Sequence, residues 1–257
     1  MKSRWMVCAF ALLLSCSSED GGMAGNGGTG GTAGAGGTAG SGGEGGSAGA
    51  GGTGGAGGGS AVPTEGLLAH YPFSGDARDH SGNGYDGTVN GPVLATDRFG
   101  TSDGAYSLDG VDDVISLPHE PELDDGATAA GSLGAWVYRT TASWPLHIVG
   151  KREGCGGGIN FMQLAIGGGA APTELVPLNE WIYLMNTWDG STITIYVQGA
   201  AVLSADFPPW SNSAQWTIGT SGTCQPFGGL IDDVRIFSRS LDSSEVRQLI
   251  EEGGWVP

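Results

Sequence analysis

A segment of 40 residues, from Gly21 to Ser60, is the strongest constraint on what this chain can fold into, because 23 of its residues are glycine. Such a segment has little apolar surface to bury and loses much conformational entropy on ordering. We therefore expect a flexible coil, with an end-to-end distance of about 35 Å. A folded core has to come from the residues after it, which suffice for one domain.

The N-terminus has the pattern of an export signal. Lys2 and Arg4 precede an apolar run, Trp5–Leu14, which is too short to span a bilayer but suits a signal-peptide core. The run Leu13–Cys16 resembles the bacterial lipobox. That resemblance implies a diacylglyceryl group on the Cys16 thiol and cleavage just before it; an ordinary secretory peptide is the alternative.

Three segments follow from these patterns. We predict a lipoprotein signal peptide at 1–15, a lipidated cysteine and tether at 16–63, and a globular domain at 64–257. Position 17 is serine and not aspartate, which by analogy with enteric bacteria favours the outer membrane. We expect an exported protein attached to the membrane through its lipid, at the outer membrane or cell surface.

The charge of the chain excludes one class of partner. The formal net charge is −17, and no basic footprint for nucleic acid exists in the sequence. Anionic polymers would be repelled for the same reason. The acidic residues either keep the exported protein soluble or, in part, hold Ca²⁺, a cation that prefers oxygen ligands.

The residues after the tether form short apolar runs separated by turn residues. Many short strands with almost no helical periodicity predict an all-β sandwich of two antiparallel sheets. Asp189-Gly190 predicts a hairpin turn between two of these runs. The predicted strands are Leu68–Phe73, Tyr106–Leu108, Val114–Leu117, Leu133–Tyr138, Ile182–Leu184, Thr192–Val197, Trp216–Ile218 and Leu230–Phe237.

One helix is predicted near the end of the chain. Asp242 and Glu245 have the spacing of a capping box, and Leu241 with Val246 has that of a hydrophobic staple. Gly253 is expected to end the helix.

Several motifs give the domain a family resemblance. In their order and content they resemble the laminin G-like jellyroll family of the concanavalin A-like lectin/glucanase superfold, over Leu67 to Glu252. The resemblance implies a jellyroll that binds or hydrolyses glycans or mediates adhesion. The motifs are Tyr71–Phe73, Asp79–Gly84, Gly87–Val89, Arg98–Gly100, Leu108–Asp113 and Gly229–Phe237.

A structural Ca²⁺ site is implied by the resemblance. Members of that family often hold Ca²⁺ between an early acidic loop and the late strand, which nominates Asp79, Asn83 and Asp233 as ligands. The alternative is that these Asp and Asn residues only form turns, and that Asp232 or Asp233 caps a turn or pairs with Arg235.

Two cysteines remain after export and lipidation. In an exported protein Cys155 and Cys224 are expected to form a disulfide, which would stabilise the fold by about 4 kcal/mol. Two free thiols are the alternative.

Catalysis is not expected. Glycosidases of this superfold place acidic residues at alternate positions of one strand. Glu122 and Asp124 have that spacing, but Pro121 and Gly126 predict a loop there. Asp232 and Asp233 are adjacent, so we expect them to point to opposite faces of their strand.

Tryptophans in surface loops are the candidates for ligand binding. Trp144 and Trp210 lie beside prolines, where they either stack on a sugar or pack under loops. The strand tryptophans are expected in the core, namely Trp136, Trp181, Trp188 and Trp216. We expect a non-catalytic module that binds a glycan or a surface protein. A surface polysaccharide hydrolase and a structural envelope lipoprotein are the alternatives.

Overall fold

The computed structural model describes the globular part of the chain. The described residues all lie in one compact unit, Gly55–Pro257. They are 62–126, 129–143, 146–151, 163–167, 170–206, 213–220 and 224–255. Cys16, Trp144, Cys155 and Trp210 lie outside them, so the lipid anchor, the bridge to Cys224 and the two-tryptophan site stay predictions.

The described residues contain thirteen strands and two helices. The helices are α1 (Pro121–Gly126) and α2 (Ser243–Glu251). The strands are β1 (Leu67–Tyr71), β2 (Thr88–Asn90), β3 (Val93–Ala95), β4 (Ala105–Asp109), β5 (Val114–Ser116), β6 (Gly131–Arg139), β7 (Leu146–Lys151), β8 (Gln163–Ile166), β9 (Trp181–Trp188), β10 (Thr192–Val197), β11 (Ala200–Asp206), β12 (Trp216–Ile218) and β13 (Gly228–Phe237).

The strands form two antiparallel sheets, which confirms the predicted sandwich. The larger sheet has the order β11-β10-β9-β6-β13-β4-β3, and β1 also pairs with β13. The smaller sheet has the order β2-β5-β12-β7-β8. Inward-facing side chains such as Val137 and Ile231 of the larger sheet and Ile115 and Ile218 of the smaller sheet are fully buried in one core.

The hairpin prediction and the core position of three of the four strand tryptophans are confirmed as well. Residues 189 and 190 connect the paired strands β9 and β10. Trp136, Trp188 and Trp216 are buried, whereas Trp181 is half-buried and packs on Tyr138.

The expectation of a loop at Pro121–Gly126 was wrong. Proline fits the first turn of a helix, where its missing N–H leaves no hydrogen bond unmade. Leu123 is fully buried and fixes α1 against the sandwich. This packing outweighs the breaking tendency of the flanking residues.

Helix α2 begins with the predicted capping box. The Asp242 side chain accepts hydrogen bonds from the backbone N–H groups of Ser244 and Glu245, and the Glu245 side chain accepts one from the Asp242 N–H. Its buried residues pack with Trp136 and Phe237 on the outer face of the larger sheet. Within the described residues, neither helix is both long and apolar enough to cross a bilayer.

Removing this cap should have a measurable cost. We expect Asp242→Ala to lower the free energy of unfolding by about 1 kcal/mol, because two backbone N–H groups lose their acceptor. Urea unfolding measures it, with Ser243→Ala as the control next to the cap. Equal unfolding midpoints for the two variants would contradict the role of Asp242.

Candidate functional site

The site is built around an irregularity in the central strand β13. Asp232 lies opposite Trp136 of β6, and Arg235 lies opposite Gly134. Strand β13 therefore has one residue more than β6 between these pairs, which is a β-bulge. Asp233 has a φ of +52°, in the left-handed region that residues other than glycine rarely adopt.

The loop between β3 and β4 brings a cation to this bulge. The Asp97 Oδ1 atom accepts hydrogen bonds from the backbone N–H groups of Phe99, at 2.8 Å, and Thr101, at 2.7 Å. This aspartate turn is favoured locally, because a short carboxylate can bond the backbone two residues further on. It presents Arg98 and Phe99 together above the sheet.

Arg98 joins both aspartates of the bulge in a buried ion network. It contacts the Asp232 carboxylate through Nη1, and its Nη2 lies 3.3 Å from Asp233 Oδ2. Asp233 Oδ1 lies 2.8 Å from His70 Nε2 and 3.0 Å from Arg235 Nη2. The side chains of Arg98, Asp232, Asp233 and Arg235 are all less than a tenth exposed.

The two adjacent carboxyl groups differ in proton affinity. Burial raises the pKa of Asp232 to about 7, although the charge of Arg98 acts in the opposite direction. Burial also acts to raise the pKa of Asp233, but the hydrogen bond with His70 and the charges of Arg235 and Arg98 lower it overall. Neighbouring carboxyl groups with divergent pKa values are typical of functional sites, though structural ion networks produce them too.

A cavity of about 270 Å³ opens above this network. Most of the residues that line it are polar or charged, and Phe99, which is 46% exposed, is also part of the lining. The Arg98 guanidinium lies 4.4 Å from the centre of the Phe99 ring and 5.1 Å from that of Trp136. The lining residues are His70, Pro72, Ser74, Asp97, Arg98, Phe99, Asp232, Asp233, Arg235, Glu252 and Gly253.

The predicted calcium ligands lie near one another but have other partners. His70 connects two of them: its backbone N–H donates to Asp79 Oδ1 at 3.0 Å, and its ring contacts Asp233. Asp79 also accepts from Ser81 and Tyr85, and the Asn83 amide donates to the Leu68 carbonyl.

Calcium at these residues stays a prediction that the contacts disfavour. Burial acts to raise the pKa of Asp79, but the hydrogen bonds that its carboxylate accepts from His70, Ser81 and Tyr85 lower it overall. Two guanidinium groups already face Asp233. A calcium ion beside these two cations would be repelled.

A further cluster of acidic side chains lies in the turn between β4 and β5. The side chains of Asp109, Asp112 and Asp113 can bring ligand atoms within 4.8 Å of one another. Asp113 accepts from the Asp109 N–H and Asp109 accepts from the Val111 N–H, both at 2.8 Å. These bonds give Asp109 and Asp113 a role in holding the turn.

The structure corrects the expected arrangement of the adjacent aspartates. Asp232 and Asp233 both reach Arg98, because the bulge interrupts the alternation on which the expectation of opposite faces rested. Sequence reasoning named neither Arg98, Phe99 nor Glu252 as a site residue. The signal for a site in the sequence was the presence of Asp232, Asp233 and Arg235 within an otherwise apolar strand.

Known proteins share this architecture. The family described as the Concanavalin A-like lectin/glucanases superfamily matches residues 109–247. A search among curated protein sequences found no match. Domain 4 of AbnA, an extracellular arabinanase from Geobacillus stearothermophilus, solved in complex with arabinotriose, is 25% identical with a TM-score of 0.55. The match covers 71% of this chain and 97% of that domain.

Two more distant structures show the shared fold alone. The binding domain of botulinum neurotoxin DC, in complex with SialylT, is 13% identical with a TM-score of 0.55, over 74% of this chain and 51% of that one. The Trypanosoma rangeli sialidase in complex with sialic acid is 19% identical with a TM-score of 0.57, over 77% and 35%. This chain therefore spans about half and about a third of their lengths.

Proposed function

Because this chain belongs to the Concanavalin A-like lectin/glucanases superfamily, we propose that its jellyroll is a non-catalytic glycan-binding module and that the cavity beside Phe99 is the binding site. The observation that carries the proposal is the combination of an exposed aromatic ring with fixed, buried polar groups. Small-molecule sites combine apolar or aromatic surface with a few precisely placed polar groups.

The rigidity of the cavity supports binding. Asp232, Asp233 and Arg235 belong to the central strand of the larger sheet, and their ion pairs hold them in place. A preformed site loses little conformational entropy when its ligand arrives. The arabinanase domain that shares this fold was solved with arabinotriose, which supports a saccharide as the ligand class.

Removing the aromatic ring tests the location of the site. We expect Phe99→Ala to weaken saccharide binding at least about tenfold, because truncation of an aromatic anchor commonly costs more than 1 kcal/mol. A glycan array with the purified protein identifies a ligand, and calorimetry then measures the dissociation constants of wild type and variant.

Val93→Ala is the matched control. Val93 is an exposed apolar residue, 64% accessible, on strand β3 and outside the cavity lining. Unchanged binding in both variants would place the site elsewhere on the domain. No binding by the wild-type protein to any saccharide would remove the proposal itself.

One observation favours a hydrolase as the second candidate. The pKa of Asp232 is raised and that of Asp233 is lowered within the same cavity, as an acid and its partner carboxylate require. Against it, both carboxylates are engaged by Arg98. Release of reducing ends from bound polysaccharide, lost in Asp232→Asn, would establish hydrolysis.

The cellular location of the protein is also part of the proposal. A lipid on Cys16 would hold the domain at the membrane, and the glycine-rich segment would let it reach away from that surface. A glycan-binding domain on such a tether suits recognition or adhesion at the cell envelope.

A further inference from the structure

A second cavity adjoins the proposed site. It has a volume of about 260 Å³ and shares three wall residues with the first cavity, namely His70, Arg235 and Glu252. Neither cavity alone reaches roughly 300 Å³, the lower end for small-molecule sites, but the two together do. The remaining wall of the second cavity comes from the segment before and at the start of β1 and from His80 and Ser81.

Two residues of the wall shared by the cavities, Arg235 and Glu252, differ in how firmly they are held. The Arg235 side chain is 4% exposed and is also held by Asp233, whereas the Glu252 side chain is 35% exposed. Glu252 contacts Arg235 and precedes Gly253 and Gly254, which have φ values of +72° and +82°. A shift of the Glu252 side chain would therefore open one cavity to the other without moving the strand.

Two arginines that line the first cavity have buried donors without acceptors. Arg98 Nε and Arg235 Nη1 have no hydrogen-bond partner within the described part of the chain. Most buried N–H groups in proteins are paired, so an oxygen of a ligand or water at this site would complete the hydrogen bonding of these arginines. Sugar hydroxyls can accept from these donors and can also donate to carboxylates such as Asp97 and Glu252.

The charge around the first cavity selects against acidic sugars. Arg98 and Arg235 face four carboxyl groups, and even with Asp232 protonated, near its pKa of about 7, carboxylates outnumber the guanidinium groups. The chain as a whole has a net charge of −17. An anionic ligand would meet repulsion from both sources. The carboxylates are Asp97, Asp232, Asp233 and Glu252.

We infer that the two cavities are neighbouring subsites of one groove, and that the groove takes a neutral, hydroxyl-rich saccharide of at least two sugar units. The inference rests on the proposed glycan-binding function and specifies its ligand. The Arg235–Glu252 pair lies between the subsites, where it would contact the linkage between two sugars.

Calorimetry on the purified full-length protein, in a detergent without sugar headgroups, tests ligand length and charge. The probes are arabinose, arabinobiose and arabinotriose, with xylo- and cello-oligosaccharides of the same lengths, and lactose against sialyllactose as a neutral and acidic pair. We expect at least a tenfold gain in affinity from one to two units, and at least tenfold weaker binding of the acidic sugar.

Two glutamates provide matched variants. Glu252→Gln removes a charge from the wall and should reduce the preference for the neutral sugar at least threefold. Glu251→Gln removes a charge from the adjacent exposed residue, which lines neither cavity, and should leave the preference unchanged.

The outcomes separate the inference from the proposed function. Equal binding of the mono- and disaccharide, or of the neutral and acidic sugar, overturns the inference while glycan binding stands. An equal response of the two glutamine variants overturns the role of Glu252. Absence of binding to every saccharide overturns the proposed function, and the inference with it.

Discussion

Replacing Arg98 with methionine is expected to lower the free energy of unfolding by about 3–5 kcal/mol, because it leaves buried carboxylates without their cation. The Arg98 side chain is 7% exposed and contacts both Asp232 and Asp233. Methionine keeps much of the aliphatic length, so lost charge is the main change. Denaturant unfolding of the two proteins measures the difference.

The matched control is Arg78→Met. Arg78 also pairs with an aspartate, Asp76, at 3.4 Å, but the Arg78 side chain is 73% exposed. Exposed ion pairs contribute less than about 1 kcal/mol, so this variant should unfold close to wild type. Similar losses in the two arginine variants would show that the buried network does not stabilise the fold.

The stability that Arg98→Met loses should also depend on pH, which gives a second test of the buried network. The pKa of Asp232 is raised from its ordinary value of 3.8 to about 7 in the folded protein. The folded state therefore holds more protons than the unfolded state between these values, and this group's contribution to stability is lost as pH rises through them. Without Arg98 the carboxylates repel more strongly, so the deficit should be larger at about pH 8 than at about pH 5.

Replacing Cys16 with serine is expected to abolish lipid attachment. The thiol of Cys16 is the predicted acceptor of the diacylglyceryl group, and serine cannot take its place in that reaction. Incorporation of labelled palmitate in a Gram-negative host should occur in wild type and be absent in Cys16→Ser. Since several acyl chains anchor a protein stably, the mature wild-type protein should fractionate with membranes.

Cys8→Ser controls for the loss of a cysteine. Cys8 lies within the apolar run and is removed with the predicted signal peptide, so its variant should be labelled like wild type. Equal labelling of Cys16→Ser would contradict the lipobox. Palmitate is the decisive readout, because an uncleaved precursor could remain at the membrane through its apolar run.

Elements with a strong local pattern could be predicted from the sequence. The bounds of β10 and β12 agree with the predicted Thr192–Val197 and Trp216–Ile218, and the capping box of α2 is present. Alternation, turn residues and caps act over a few residues, so the sequence displays them directly. The family resemblance added the order of the motifs and therefore the jellyroll.

The strands that were missed lack such a pattern. Every residue of β7 is buried, so the strand does not show the alternation of polar and apolar residues that marks one exposed face. Six of the seven residues of β11 are exposed, and its pairing with β10 makes it a strand. No residue of β2 or β3 is buried and every residue of β8 is, so none of these short strands alternates between a buried and an exposed face.

The sequence by itself determined the sandwich and the acidic character of the chain, and it predicts the tether and the export signal, because composition and short-range periodicity carry that information. The tertiary structure alone decided the site. Arg98 meets Asp232 and Asp233 across more than 130 residues of chain. It reaches both because one extra residue in β13 breaks the alternation of the strand. A bulge and a long-range ion pair depend on how distant strands pair, and no local pattern in the sequence specifies that pairing.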